Sequence, residues 1–318
     1  MISRFSASFA SSREDRKRAP RRALGGILSS FGGGAPGCPV DAPANAPRRA
    51  LIKGTVSALA LGSCASTLLS ACGGDFAGGS GSQDDATPTL KSVANFRDVA
   101  GAAPGYATSD GARVRRGLIY RSDALTLSAA DAVTLQNLGV TTVYDLRTPA
   151  ESGQTPDAQV AGASYVAINV PGTATPPSFA GMSAQELDAA MQGEWNAFIA
   201  GRVQASAYGE LLNQIAQASG PQIITGGTGV DAVGWASALL LLIANVPLEI
   251  VVKDFLLTNA YRSTGVDAVN AAPPVQSSYL QAAFDALQSN YGDLSRYLTV
   301  GLGLAPATID LLRSRLVA

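Results

Sequence analysis

Residues 223–235 read IITGGTGVDAVGW, and the apolar run ASALLLLIA follows at residues 236–244. The pattern predicts a strand at residues 222–225 that breaks into glycines and re-enters a buried helix at residues 234–244. Such a turn directs several backbone N–H groups at one point beside a helix N-terminus, which suits an anion such as phosphate. The predicted anion-binding loop comprises Thr225, Gly226, Gly227, Thr228, Gly229 and Gly234.

The residue types present exclude several kinds of chemistry. The 318 residues contain no histidine, so histidine-based zinc sites and catalytic triads are excluded. The three cysteines are Cys38, Cys64 and Cys72, and residues 73–318 therefore hold no thiol, disulfide or cysteine metal site. We expect neither a metal nor a cofactor.

Charge divides the chain into two parts. Residues 1–71 carry ten Lys/Arg against three Asp/Glu, whereas residues 72–318 carry thirteen against twenty-one. The second part is acidic and offers no basic stripe, so we expect no nucleic-acid partner.

The N-terminal region has the features of an export signal. Residues 1–47 mix Arg, Ser, Gly and Pro without hydrophobic periodicity, which indicates disorder or a start codon placed too early. Residues 48–71 open with RRALIK and continue as a weak apolar run, and they resemble a twin-arginine signal peptide. A short buried helix is the alternative interpretation of that run.

The end of this run resembles a bacterial lipobox. Residues 69–72 read LSAC, so cleavage before Cys72 would leave a lipidated N-terminal cysteine and a membrane anchor. Residues 72–89 are a Gly/Ser/Asp-rich flexible linker. We expect a lipid-anchored protein on the periplasmic face of the cell envelope, and Gly73 after the cysteine favours the outer membrane.

Residues 90–318 alternate strand and helix patterns, which predicts an α/β fold with a parallel central sheet flanked by helices. Capping residues predict helix starts at Ser128, with Asp131, and at Ser183, with Glu186. Strands are predicted at residues 140–147, 165–170 and 222–225. Further helices are predicted at residues 194–218, 247–261, 276–289, 292–299 and 306–316.

Several segments resemble the bacterial tyrosine phosphatase family, whose active-site motif reads HCxxGKDRTGW. Residues 225–235 match that motif, residues 92–101 (SVANFRDVAG) resemble the NFRDLGG opening, and residues 145–151 (DLRTPAE) resemble DLRxxxE. Residues 114–123 and 254–259 match further family segments. The resemblance covers residues 90–318 and implies a phosphatase-like fold with a helical C-terminal part. It also implies a helical lid within residues 171–218, for which a peripheral helical insertion is the alternative.

Alignment with the motif implies that the catalytic groups have been lost. The family's histidine falls on Thr225, its nucleophilic cysteine on Gly226, its lysine on Val230 and its phosphate-binding arginine on Ala232. Asp231 retains the acid position. In the family, the residues matching Asn95, Arg97 and Asp98 support the active-site loop; a turn ion pair between Arg97 and Asp98 is the alternative.

These losses predict an exported pseudophosphatase. Glycine supplies no nucleophile and alanine no guanidinium, so we expect at most weak binding of phosphate or of a protein ligand. One alternative is a phosphatase that uses Thr225 or Thr228 with Asp231, and another is a structural envelope protein. An arginine reaching the pocket around Gly226 from elsewhere, such as Arg97 or Arg262, would preserve anion binding.

Overall fold

The structure is a computed structural model that describes residues 87–173, 181–262 and 274–318. These residues belong to the second of two contact-defined units, residues 76–318. The predicted N-terminal extension, signal peptide, Cys72 and most of the linker lie outside the described residues.

The central sheet of the described residues has five strands in the order β1-β2-β5-β3-β4. Strands β2, β5, β3 and β4 run parallel, as predicted, and β1 pairs with β2 as an antiparallel edge. The strand bounds are β1 Arg97–Asp98, β2 Ile119–Ser122, β3 Thr142–Asp145, β4 Ser164–Ala167 and β5 Gln222–Thr225.

Helices cover both faces of this sheet, which confirms the predicted α/β class. Ser128 and Ser183 cap their helices, and the Ser183 cap forms a reciprocal capping box with Glu186. The helical bounds are α1 Ala129–Asn137, α2 Pro149–Gln154, α3 Ala184–Ala200, α4 Arg202–Gln217, α5 Asp231–Ile243, α6 Leu248–Leu256, α7 Thr258–Arg262, α8 Ser277–Tyr291, α9 Leu294–Arg296 and α10 Pro306–Leu316, with a π-helical turn at Tyr297–Gly301.

Four helix boundaries differ from the sequence prediction. The helix predicted at residues 194–218 is divided by Gly201, whose extended backbone (φ −78°, ψ 128°) ends α3 and precedes α4. The helix predicted from Gly234 begins at Asp231. The helix predicted at residues 247–261 divides into α6 and α7, with Pro247 as N-cap, and that predicted at residues 292–299 is α9 followed by the π-helical turn.

Side chains alternate between two hydrophobic clusters on opposite faces of the sheet. Val143 and Ile223 join the smaller cluster, which includes Leu135 of α1, whereas Tyr144 and Ile224 join the larger one. Ten of the thirteen residues of α5 are buried, as its apolar composition predicts. The helix that follows the glycine loop is therefore anchored in the core.

The described residues contain no candidate membrane-spanning helix. None of the helices there is both long and apolar enough to cross a bilayer.

Candidate active site

The glycine loop, residues 226–230, lies at the carboxyl edge of the sheet, between β5 and α5. Ser122 of β2 and Asp145 of β3 both pair with Thr225, so three parallel strands end at the same level. Ligands bind in such sheets at the carboxyl ends of the strands. The loop therefore occupies the part of the fold where a binding site is expected.

Two buried side chains hold the loop through one backbone oxygen. Gly229 O accepts hydrogen bonds from Asn95 Nδ2 and from Arg121 Nη2, each at 2.7 Å. Gly229 has φ +62°, and a Cβ there would lie 2.6 Å from Ser122 O. Glycine is thus required at this position by backbone conformation and by space.

A buried ionic network lies behind these two contacts. Asp254 Oδ1 is 3.5 Å from Arg97 Nε, and Asp254 Oδ2 is 3.5 Å from Arg121 Nη1. Tyr106 OH donates to Asp254 Oδ1 at 3.1 Å. Arg97 also donates to Asn95 Oδ1, which connects the network to the loop.

The predicted supporting residues therefore take different positions. Asn95 contacts the loop, and Arg97 contacts Asn95 and Asp254. Asp98 accepts from the backbone N–H groups of Ala100 at 2.9 Å and Gly117 at 2.6 Å, so it shapes a turn away from the loop. Arg97 forms its ion pair with Asp254, and not with Asp98 as the alternative of a turn ion pair required.

Sequence analysis did not assign roles to Arg121 and Asp254, although both lie in quoted family segments. Arg121 is fully buried within a four-residue strand whose every residue is buried. Charged residues are almost never fully buried unless they are paired. The available sequence signal was an arginine directly after the apolar residues Leu118, Ile119 and Tyr120, which indicates a buried partner.

Gly226 and Ala232, the positions that the motif alignment assigns to the family's nucleophile and clamp, carry no reactive group. Gly226 is buried, and a Cβ there would lie 2.9 Å from Val233 Cγ2, so a larger residue would crowd Val233. Ala232, in the first turn of α5, is half-buried. The loop thus lacks a thiol and a guanidinium, and part of the nucleophile's space is occupied.

The two threonines of the loop lack the contacts of an activated nucleophile. Thr225 is fully buried, and its hydroxyl donates to Asp123 O at 2.6 Å. Thr228 is exposed, and its Oγ1 accepts from Val230 N at 3.4 Å. Among the described residues, neither hydroxyl makes a hydrogen bond to a carboxylate that could serve as its base.

A cavity of about 500 Å³ lies above the loop. Residues 226–233 form its floor, Leu146, Arg147 and Glu151 form one side, and α3 forms another with Ala190, Glu194, Ala197 and Phe198. Trp195 and Ile199 of α3 are fully buried, so this helix is part of the core as well as a cavity wall. The region predicted as a lid or a peripheral insertion thus contributes part of the wall of the candidate site.

Two of the predicted loop residues do not line the cavity. Thr225 lies within the sheet, and Gly234 lies in the first half of α5. A Cβ at Gly234 would lie 3.3 Å from Trp195 and 3.3 Å from Phe255. Gly234 therefore permits helix packing, while Gly226, Gly227, Thr228 and Gly229 form the surface of the loop that faces the cavity.

Acidic groups dominate the charge of the cavity. Burial, followed by repulsion from Asp231, raises the pKa of Glu194 to about 7. Burial likewise raises the pKa of Asp231 to about 6, and the neighbouring Trp195 indole and Arg262 oppose that rise. Asp231 Oδ1 is buried and forms no hydrogen bond within the described residues.

The cavity has one cationic lining residue, Arg147, which is already paired. Its guanidinium contacts Asp145 Oδ1 and Oδ2 at 2.8 Å each, and Asp157 Oδ1 at 2.9 Å. The other two arginines considered from the sequence, Arg97 and Arg262, do not line the cavity. Arg262 lies close enough to Asp231 and Asp123 to lower their pKa values electrostatically.

Within the described residues, no group of three or more Asp, Glu, Cys or His side chains is arranged to hold a metal ion.

Comparison with known proteins agrees with the geometry of the loop. The family model described as "Tyrosine phosphatase family" matches residues 88–318. A protein of Cupriavidus necator named "Putative tyrosine-protein phosphatase" is 27% identical over 228 residues, which cover 65% of this chain and 80% of the relative. The match includes the sheet, the glycine loop and the helices around the cavity. The chain belongs to the tyrosine phosphatase family.

Proposed function

We propose that this protein is an exported lipoprotein whose phosphatase-like domain binds a ligand without phosphatase chemistry. The observation that carries this proposal is the pair Gly226 and Ala232, which replaces nucleophile and clamp. Asn95 and Arg121 still hold the loop through Gly229 O. The contacts that hold the loop are therefore present, whereas the thiol and the guanidinium that phosphatase chemistry requires are missing.

The charge of the cavity argues against a tightly bound phosphate. The helix N-terminus offers about 0.3–1 kcal/mol to an anion, and Asp231 already places a carboxyl in the first turn of α5. A missing arginine removes charge-assisted hydrogen bonds of roughly 1.5–3 kcal/mol each. We therefore propose an affinity no better than millimolar for phosphate or phosphotyrosine.

The threonine-based phosphatase is the alternative from the enzyme class. The Thr225 hydroxyl is already used in a hydrogen bond to Asp123 O. Thr228 is exposed, and this chain contains no histidine to serve as its base. These contacts favour the non-catalytic proposal.

The loss of catalysis leads to a direct prediction. Hydrolysis of p-nitrophenyl phosphate by the purified protein should equal the rate in buffer, because neither a thiolate nor an arginine clamp is present at the loop. The measurement is release of p-nitrophenol across pH 5–8. Turnover that Asp231→Asn abolishes, and that the exposed charge-matched control Asp310→Asn retains, would contradict the proposal and favour the threonine-based enzyme.

The proposed lipid anchor leads to a second prediction. Replacing Cys72 by Ala should move the protein from the membrane fraction to the soluble fraction, because the lipidated residue is lost. Cys64→Ala is the matched control, since Cys64 lies before the proposed cleavage site and should leave fractionation unchanged. Fractionation with detection of incorporated fatty acid provides the measurement. Membrane retention of the Cys72→Ala protein would refute the anchor, and location of the unaltered protein in the inner membrane would refute the sorting proposal from Gly73.

A further inference from the structure

We propose that the cavity beside the glycine loop binds an organic ammonium ion with a small apolar body. This inference rests on the proposed loss of phosphatase chemistry and names the ligand class of the same site. It is carried by the shape of the cavity, by the identity of its walls and by one buried carboxylate oxygen, Asp231 Oδ1, that makes no hydrogen bond to the described residues.

The walls favour a ligand that is mostly apolar. Small-molecule sites are usually concave apolar pockets with a few polar groups that orient the ligand. Here the apolar contribution comes from three parts of the chain, and the volume of about 500 Å³ is in the usual range for a small organic molecule. These apolar side chains are Leu146, Pro171, Ala197, Phe198, Val230 and Val233.

The polar groups inside the cavity are suited to a cation. Asp231 lies close enough to Glu194 for charge repulsion between the two carboxylates to contribute to the raised pKa of Glu194. Asp231 Oδ1 is buried without a hydrogen bond, although a buried polar atom normally has a partner. Trp195, which is fully buried, lies near Asp231 and lowers its pKa, but within the described residues its Nε1 makes no hydrogen bond of normal geometry to that carboxylate. An ammonium group donates three hydrogen bonds and would supply both the missing partner and the missing positive charge.

Within the described residues, the cavity lining offers no cation that is free to pair with Asp231, although Arg262 lowers the pKa of Asp231 from outside the lining. All thirteen lysines and arginines of residues 72–318 fall within the described residues. Among them only Arg147 lines the cavity, and Asp145 and Asp157 occupy its guanidinium. The third acidic lining residue, Glu151, uses Oε2 to accept from Thr148 N and Oγ1. Asp231 and Glu194 are therefore the acids that remain for a ligand.

An ammonium ion suits these groups better than a metal ion does. Hard divalent cations require several oxygen ligands in a close arrangement. Within the described residues no such acidic group is arranged for a metal. A single ammonium group could donate to Asp231 Oδ1 and lie near Glu194. The apolar body attached to it would contact the apolar walls.

The first experiment measures how tightly the unaltered full-length protein binds four ligands that share a similar aromatic body but differ in charge. Benzylamine, benzyl alcohol, benzoate and phenyl phosphate would be titrated by calorimetry at pH 8, where Asp231 is ionised and Glu194 largely so. We expect benzylamine to bind about tenfold or more tightly than each of the others, as one charge-assisted hydrogen bond would give. Equal binding of benzylamine and benzyl alcohol, tighter binding of either anion, or no binding of benzylamine would overturn the proposal.

The second experiment tests the two acids. Asp231→Asn and Glu194→Gln should each lower the affinity for benzylamine by about tenfold and leave the affinity for benzyl alcohol unchanged, because only the charged contact is removed. Asp310→Asn is the control, since Asp310 is exposed on α10 and makes the same change in net charge. A loss of benzyl alcohol binding equal to that of benzylamine would show that the acids only support the structure, and would contradict their proposed role.

The pH dependence has a definite sign. Benzylamine stays protonated between pH 5 and pH 8, whereas Asp231 and Glu194 become charged near their raised pKa values of about 6 and about 7. Binding should strengthen as pH rises and should release protons near pH 6–7. Arg262, Tyr208 and Tyr279 interact electrostatically with the pair, and the raised pKa values of the two tyrosines keep them neutral in this range. Affinity that falls between pH 5 and pH 8 would contradict the proposal.

The phosphatase assay separates this inference from the proposed function. Benzylamine binding without p-nitrophenyl phosphate turnover supports both. Benzylamine binding with turnover supports the ammonium site and overturns the loss of catalysis. If neither benzylamine binding nor turnover is observed, the ammonium site is overturned and the proposed loss of catalysis stands.

Discussion

Replacing Arg121 by Met should lower the free energy of unfolding by about 3–5 kcal/mol, the range observed when one partner of a buried ion pair is removed. Arg121 is fully buried, and its Nη1 lies 3.5 Å from Asp254 Oδ2. Burial lowers its pKa to about 9, so it remains protonated at neutral pH. Methionine can fill much of the space but cannot compensate the Asp254 carboxylate.

The same replacement should loosen the glycine loop. Arg121 Nη2 donates to Gly229 O at 2.7 Å, and Asn95 Nδ2 would be the remaining side-chain donor to that oxygen. We therefore expect faster amide hydrogen exchange at residues 226–230 than the overall loss of stability explains. This local effect separates the role of Arg121 in holding the loop from its role in the core.

Chemical denaturation measures the global effect, with Arg296→Met as the control. Arg296 is exposed at the end of α9, so its replacement should change stability by no more than about 0.5 kcal/mol. Asp254→Asn in the Arg121→Met background should give a total cost lower than the sum of the two single replacements, because the contact between Arg121 and Asp254 has already been lost. A cost below about 1 kcal/mol for Arg121→Met, or a double variant whose cost equals the sum of the two single costs, would refute the pairing.

Local sequence signals predicted much of the fold correctly. The alternation of strands and helices gave the parallel arrangement, and the strand at Gln222–Thr225 matches its prediction. The Ser183 and Glu186 pair predicted a helix start because a capping box is formed by residues three apart. Signals contained within one turn or one strand need no knowledge of distant contacts.

Features that depend on distant contacts were not predicted. The pairing of Arg121 with Asp254 joins β2 to α6, which no spacing along the chain indicates. Glu194 faces the cavity only because α3 packs beside the loop, and the sequence analysis placed this residue at the start of a helix. The motif indicated the losses at Gly226 and Ala232, but the acidic character of the site depends on tertiary packing.

The acids of the cavity also weaken the fold. A carboxyl whose pKa is raised binds more protons in the folded state than in the unfolded state, so stability falls as pH rises toward that raised pKa. This applies to Asp231 between about pH 4 and pH 6, and to Glu194 between about pH 4.5 and pH 7. Groups that reduce stability and lie together in a cavity are candidates for function. This cost supports a binding role more than a purely structural one.

Restoring the reactive pair tests whether the loop still has the shape of a phosphate site. Gly226→Cys with Ala232→Arg replaces nucleophile and clamp, but the cysteine Cβ would lie 2.9 Å from Val233 Cγ2. Valine is stiff at χ1 and cannot easily turn away. We therefore expect the triple variant, which adds Val233→Ala, to bind vanadate about tenfold or more tightly than the double variant.

The acidic residues of the cavity should limit how tightly the triple variant binds vanadate. The new arginine at position 232 would lie near Glu194 and Asp231, whose carboxylates would compete with vanadate for it. Adding Glu194→Gln to the triple variant should therefore strengthen vanadate binding further, whereas each single replacement should bind little because nucleophile and clamp act together. Competition calorimetry with vanadate measures each step, and Asp310→Asn in the triple variant controls for net charge. A folded triple variant that binds no vanadate would show that the loop has lost the geometry of a phosphate site along with its reactive groups.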